Sequence, residues 1–249
     1  MTPPPELRRR LLIVTRDEYN RARISEPDLL ADPFTTVVPV PLRTPWTEVP
    51  ALMAMEDALL PGMLLTRSRW VPGGYLDTSE AQVYLSIARF NALAAVCQQL
   101  GARQLSAREL REVGEDGSIK GSLNVRTKVV DAMGDFTEQR LKRLAQSLRT
   151  SWTWQTGASN VSAAQRTAEE LGLTTDAMVT GLIQQRQWAA NPLDRYELEF
   201  DVNSEARKEL AFAMKLKSVL GRLGPALHGT FERIKGDMQE LHVIVEIQF

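Results

Sequence analysis

Glu197, Glu199 and Asp201 occupy every second position of the run 196–202, interleaved with Tyr196, Leu198, Phe200 and Val202. Successive side chains of a strand point to opposite faces, so this spacing puts the three carboxylates on one face of a rigid element. Same-face neighbours on a strand stand about 6–7 Å apart. That separation suits a hydrated Mg²⁺ ion, or a general acid working with a general base. A metal-dependent hydrolase or nuclease using Glu197, Glu199 and Asp201 is therefore one expectation, and a merely solvated acidic face is its competitor.

Other chemistry-bearing residues are sparse. The two histidines are His228 and His242. A final hairpin turning at Gly236–Asp237–Met238 would set His242 opposite Arg233 and His228 opposite Ile247. The imidazoles would then lie about 17 Å apart at about 3.3 Å per residue, on opposite faces. That is too far for a shared metal or an acid–base pair, so both are expected to be ordinary histidines. Cys97 is the single cysteine. It excludes an intramolecular disulfide and a cysteine-based zinc site, and it falls on the apolar stripe of a helix, where a core thiol is expected. The chain contains neither GxxxxGK[ST] nor GxGxxG after a strand. No cofactor and no metal site are expected from these signals.

The stretch 165–186, QRTAEELGLTTDAMVTGLIQQR, resembles a helix-turn-helix over about twenty residues. Ala168, Leu171, Gly172 and Leu173 stand as small residue, core leucine, turn glycine and core residue, and Met178 falls at a core position of the second helix. Gly181 departs from the pattern. The resemblance implies a DNA-binding regulator reading through Thr175, Thr180, Gln184 and Arg186. That face is polar but barely basic, and Asp176 would repel phosphate.

Basic residues gather on three elements. In 118–130, Lys120, Ser122, Asn124, Arg126 and Lys128 share one parity, and Ile119, Gly121, Leu123 and Val125 share the other. Arg140 and Arg143 lie on one amphipathic helix, Lys208 and Lys215 on another. With Trp152 and Trp154, residues of a type enriched at binding hot spots, they form a candidate surface for an anionic or protein partner.

The elements that position these residues follow from periodicity. Strands are expected at 11–15, 36–42, 63–70, 102–113, 118–130, 196–202 and 241–249, with a final hairpin partner at 227–235. The prolines at 39 and 41 confine 36–42 to a sheet edge. Helices are expected at 49–60, 79–101 with a Ser79/Gln82 capping box, 135–152 with an Asp135/Glu138 box, 162–171, 175–188 and 204–220. The turn at 114–117 joins 102–113 to 118–130 as a hairpin. This order lacks regular strand–helix alternation, so the fold class is α+β, with an antiparallel or mixed sheet and helices packed mainly on one face. A single domain over 1–249 is expected, with a weak subdivision near 150–160.

The 249 residues carry a formal net charge of -1, with 43% hydrophobic and 24% charged residues. Whole-chain charge selects neither nucleic acid nor an acidic membrane. The apolar run 11–14 is too short for a signal peptide, and no run approaches the ~18 residues of a spanning helix. A cytoplasmic, non-enzymatic binding or assembly protein is the leading expectation. Its partner is itself, another protein, or an anionic surface such as nucleic acid or a membrane, with no transmembrane segment.

Overall fold

A computed structural model of the chain describes residues 10–25, 27, 30, 35–42, 59–67, 75–114, 116–126, 136–155, 157–188, 194–204, 206, 207, 211 and 239–249, with the backbone alone at 79–81 and 136–140. The fold is α+β, and its described strands form two sheets. The chain divides into two compact units, Met1–Gln82 with Glu205–Met238, and Val83–Ser204 with Gln239–Phe249.

In the first unit, β1 (Arg10–Thr15), β2 (Thr35–Val40), β3 (Leu64–Arg67) and β4 (Tyr75–Asp77) form a sheet in the order β2-β1-β3-β4. The β1–β2 pair is parallel and the others are antiparallel, so the sheet is mixed. Leu11, Leu12, Ile13 and Val14 are all fully buried, as an unbroken apolar run in a strand covered on both faces should be. Strand β2 is an edge strand, which accommodates Pro39. Helix α1 (Arg16–Ser25) starts on a reciprocal cap that sequence reading missed. The Glu18 carboxylate accepts from the Thr15 amide at 2.8 Å, and the Glu18 amide donates to the Thr15 hydroxyl at 3.2 Å. Leu11, Ile13, Val38, Leu59 and Leu65 make one core cluster.

Helix α2 (Thr78–Gln99) begins in this unit and continues in the second. There β5 (Gln104–Val113), β6 (Ile119–Asn124), β8 (Arg195–Asp201) and β9 (Glu240–Gln248) form an antiparallel sheet in the order β6-β5-β9-β8. The two-residue β7 (Trp152–Thr153) pairs with Gln104 and Leu105 of β5. Leu198 and Phe200 of β8, and Leu241, Val243, Val245 and Ile247 of β9, line the buried face. Phe90, Leu93, Ala94, Val96 and Cys97 of α2, and Leu100 just past its end, are nearly or wholly inaccessible. Burial also pushes the Cys97 thiol well above its usual pKa range, so it is an inert core group. Helices α3 (Phe136–Leu148), α4 (Val161–Glu170) and α5 (Ala177–Gln187) complete the described part of the unit.

Several sequence expectations need correction here. Strand 118–130 was placed with Ile119 on its buried face, yet Ile119 is 57% exposed. A bulge lies between Glu112 and Val113, where Gly121 pairs with Glu112 and Ile119 with Val113. Lys120 is the extra residue, and the parity flips there. Met178 is also exposed, because the apolar stripe of α5 runs through Val179, Leu182 and Ile183. Both hydrogen-bonding edges of β9 are occupied, by β5 and β8, over the stretch that carries His242. His242 therefore stands opposite Arg111 and Asp201, not Arg233. Residues 127–130, most of the helix 204–220, and 227–235 with His228 lie outside the described residues, as do the side chains of Ser79 and Glu138 and all of Asp135 from the expected capping boxes, and most of the helix 49–60. The helix at 79–101 starts at Thr78, one residue before the expected cap Ser79.

Candidate functional site: the polar face of the antiparallel sheet

The face of the β6-β5-β9-β8 sheet opposite its core carries ionisable side chains from β5, β9 and β8, with Arg126 reaching in from just past the end of β6. Glu197, Glu199 and Asp201 do share this face, as their alternation predicts. Antiparallel register brings them beside partners far away in the sequence. Glu197 is opposite Glu246, Glu199 is opposite Ile244, and Asp201 is opposite His242.

Toward the Gln248 end of β9, three arginines converge on one carboxylate. Glu246 has a nearly buried side chain, 8% exposed, and meets Arg195 Nη2 at 2.8 Å, Arg126 Nη2 at 3.0 Å and Arg108 Nε at 3.8 Å. Arg108 also donates to Glu197 at 2.6 Å, and Arg126 to the Ser106 hydroxyl at 3.0 Å. Burial pushes the Glu246 carboxyl up. Hydrogen bonds from Gln248 and Arg126 and the charges of Arg195 and Arg126 outweigh that effect and hold it below the ordinary glutamate value.

Toward the Glu240 end the balance reverses. His242 Nδ1 lies 2.8 Å from Glu199 Oε1, and its Nε2 lies 2.7 Å from Glu240 Oε1. One donor atom each from Asp201, Glu240 and His242 falls within 4.8 Å of the others. Arg111 Nη2 donates to Glu109 at 2.9 Å, and its Nη1 lies 3.9 Å from Glu199. The Arg111 hydrogen bond is the main cause of the lowered Glu109 carboxyl. Burial lowers the His242 imidazole, but Glu240, Glu199 and the charge of Asp201 raise it overall. Among the described residues, four carboxylates gather here around one guanidinium and one imidazole, whereas three guanidinium groups gather around two carboxylates at the other end. The face is thus charge-segregated along its strands.

The remaining sequence candidates are dispersed. Lys120 is exposed at the bulge, and Arg143 is exposed on α3. Lys128, Lys208 and Lys215 lie outside the described residues, as does the Arg140 side chain. Trp152 is half-buried, with its ring edge-on to Phe90 at 5.1 Å. Trp154 is also half-buried, and its amide donates to the Arg103 carbonyl at 2.9 Å.

Of the helix-pair residues, Thr175 and Gln184 are exposed. The Thr180 hydroxyl bonds back to the carbonyls of Thr174 and Asp176. Arg186 lies over the Phe249 ring at 4.1 Å and donates to the Leu100 carbonyl. Gly172 takes φ +67, as the turn glycine of the resemblance requires. Sequence reading missed Glu246, Arg108, Arg195 and Glu240. The available signal was the alternation of 241–249, which puts Glu246 on the wet parity with His242 and Gln248, opposite Leu241, Val243, Val245 and Ile247.

These features define an α+β protein with a charge-segregated face on a four-stranded antiparallel sheet. Comparison with protein-family models, curated proteins and solved structures finds no match. Among the described residues, no helix is long and apolar enough to cross a membrane.

Proposed function

We propose that this is a non-enzymatic, cytoplasmic binding protein that assembles with a second copy of itself through the polar face of the β6-β5-β9-β8 sheet. The observation that carries the reading is the segregation of charge along that face, with the Arg108, Arg126 and Arg195 cluster at one end and Asp201, Glu199 and Glu240 at the other. A two-fold axis parallel to the sheet and perpendicular to β9 lays the acidic end of one copy over the arginine end of the other. Such an isologous contact uses one patch twice. The side chains of Arg108, Arg126, Arg195 and Glu197 are 43–64% exposed, so they are accessible to a partner. Electrostatic complementarity of this kind sets register and association rate more than affinity, so a salt-sensitive dimer is expected.

Light scattering on a sizing column, run in chelator at low and high salt, tests the reading. The expected result is a dimer at low salt that dissociates at high salt, and that Arg195→Glu disrupts. A monomer under all conditions overturns it. Co-purified nucleic acid shed at high salt also overturns it, and would favour the helix pair at 162–188 instead.

A further inference from the structure

We propose that Asp201, Glu240 and His242 form a binding site for a zinc-type divalent metal ion. The inference is independent of self-association. Glu240 and His242 are two residues apart on one strand and so share a face, while Asp201 stands directly across from His242 on β8. All three are half-buried, and one donor atom from each lies within 4.8 Å of the others. Two donors held at about 2.0–2.2 Å from one Zn²⁺ can be at most about 4.4 Å apart, so small side-chain rotations close the set.

Glu199 supplies the orienting element from outside the three ligands. Its Oε1 lies 2.8 Å from His242 Nδ1. In the metal-free protein both ring nitrogens face carboxylates, Nε2 standing 2.7 Å from Glu240. Metal binding would displace the Nε2 proton to solvent, keep the Nδ1 proton donated to Glu199 and turn the Nε2 lone pair to the ion. Metal-binding imidazoles depend on such an outer carboxylate to fix the tautomer and raise basicity. Glu199 is steadied in turn by Arg111, 3.9 Å away.

Two carboxylates and a neutral imidazole balance a dication. The imidazole favours a zinc-type ion over Mg²⁺ or Ca²⁺, and the half-exposed position leaves a fourth coordination place for water. Among the described residues, the charged groups around the site are Glu199 and Asp201 on β8, Glu240 on β9, and Arg111 with Glu109 on β5. Glu197, engaged by Arg108 at 2.6 Å, is not a member, so the ligand set differs from the one-strand triad that alternation alone suggests.

Calorimetric titration of Zn²⁺ into the chelator-treated full chain should give one ion per chain. His242→Gln and Asp201→Asn should each lose that binding. Glu199→Gln should weaken it by about 10–100-fold, the usual effect of removing an outer carboxylate, and Glu197→Gln should leave it unchanged. A second measurement reads the wild-type site itself. Only two histidines are present, so Co²⁺ added to the wild-type chain should broaden the His242 ring signal, which is assigned by its absence in His242→Gln. Absence of Zn²⁺ binding, equal binding by His242→Gln, or Co²⁺ broadening confined to His228 overturns the proposal.

Discussion

Arg89 and Asp176 form an ion pair with Nη2–Oδ2 at 2.8 Å, and their side chains are only 5% and 9% exposed. The pair sits at the start of α5. Asp176 is also its N-cap, accepting from the amides of Met178 and Val179. Arg89 is anchored by a second hydrogen bond, from Nε to the Asp201 carbonyl, and lies over the Phe200 ring at 5.0 Å. The aspartate that would repel phosphate in a DNA-reading helix is therefore neutralised internally and serves the helix start.

Arg89→Ala leaves the Asp176 carboxylate nearly buried without its counter-charge. A loss of about 3–5 kcal/mol is expected, measurable as a lower urea midpoint at unchanged slope. A loss below about 1 kcal/mol would contradict the account, because that is the range of a solvent-exposed pair.

Arg186→Ala removes a guanidinium stacked over Phe249 and a hydrogen bond to Leu100. Together these are worth about 1–3 kcal/mol. Gln184→Ala, on the exposed part of the same helix, should stay within about 0.5 kcal/mol of wild type. Thermal unfolding of the two variants side by side checks the contrast. Equal stability would place Arg186 in a role outside the core.

Acid sensitivity follows from Glu246. Its carboxyl is held below the ordinary glutamate value in the folded protein, so the unfolded chain binds its proton first as pH falls. The stabilisation is fully present above the ordinary value, near 4.3, and is lost as pH drops through the lower folded value. Glu246→Gln should be less stable than wild type at neutral pH, with the gap closing on acidification. Melting temperatures across an acid series test this, and a constant gap would refute the linkage.

Two glycines should respond in opposite senses to alanine. Gly101 has φ +81, and an added Cβ would lie 3.0 Å from the Gly157 carbonyl oxygen, so Gly101→Ala should cost about 1–3 kcal/mol. Gly121 has no atom within 4 Å of an added Cβ and no positive φ. Gly121→Ala should be neutral or stabilising by up to about 1 kcal/mol, through restriction of the unfolded chain. Chemical denaturation of both variants decides.

Much of the local structure is written in periodicity. The alternation at 196–202 locates β8 and the common face of Glu197, Glu199 and Asp201, and the stripe Phe90, Ala94, Cys97, Leu100 locates the buried side of α2. The partners across strands are not written there. Which strand lies beside β9 depends on pairings such as Gln104 with Gln248, and no local pattern carries that information. Two strands, β5 and β9, stand between β6 and β8, a separation that no alternation pattern states. The His242 site was invisible for the same reason: its cross-strand ligand Asp201 became a neighbour only once the register was known. Glu246 was legible as a polar-face residue of the 241–249 alternation, but its three arginines were not.

The position of β9 between β5 and β8 has a bearing on how the molecule can be cut. Unit membership passes from Ser204 out to Met238 and returns at Gln239 to supply the middle of the sheet. Closing that excursion carries a loop entropy to be met before the pairing is rewarded, so slow folding is favoured. A fragment ending at Ser204 would leave β5 and β8 each with a naked row of amides and carbonyls, a template for cross-chain aggregation. Neither unit is a contiguous module, and the second can be liberated only by deleting the excursion and rejoining its ends.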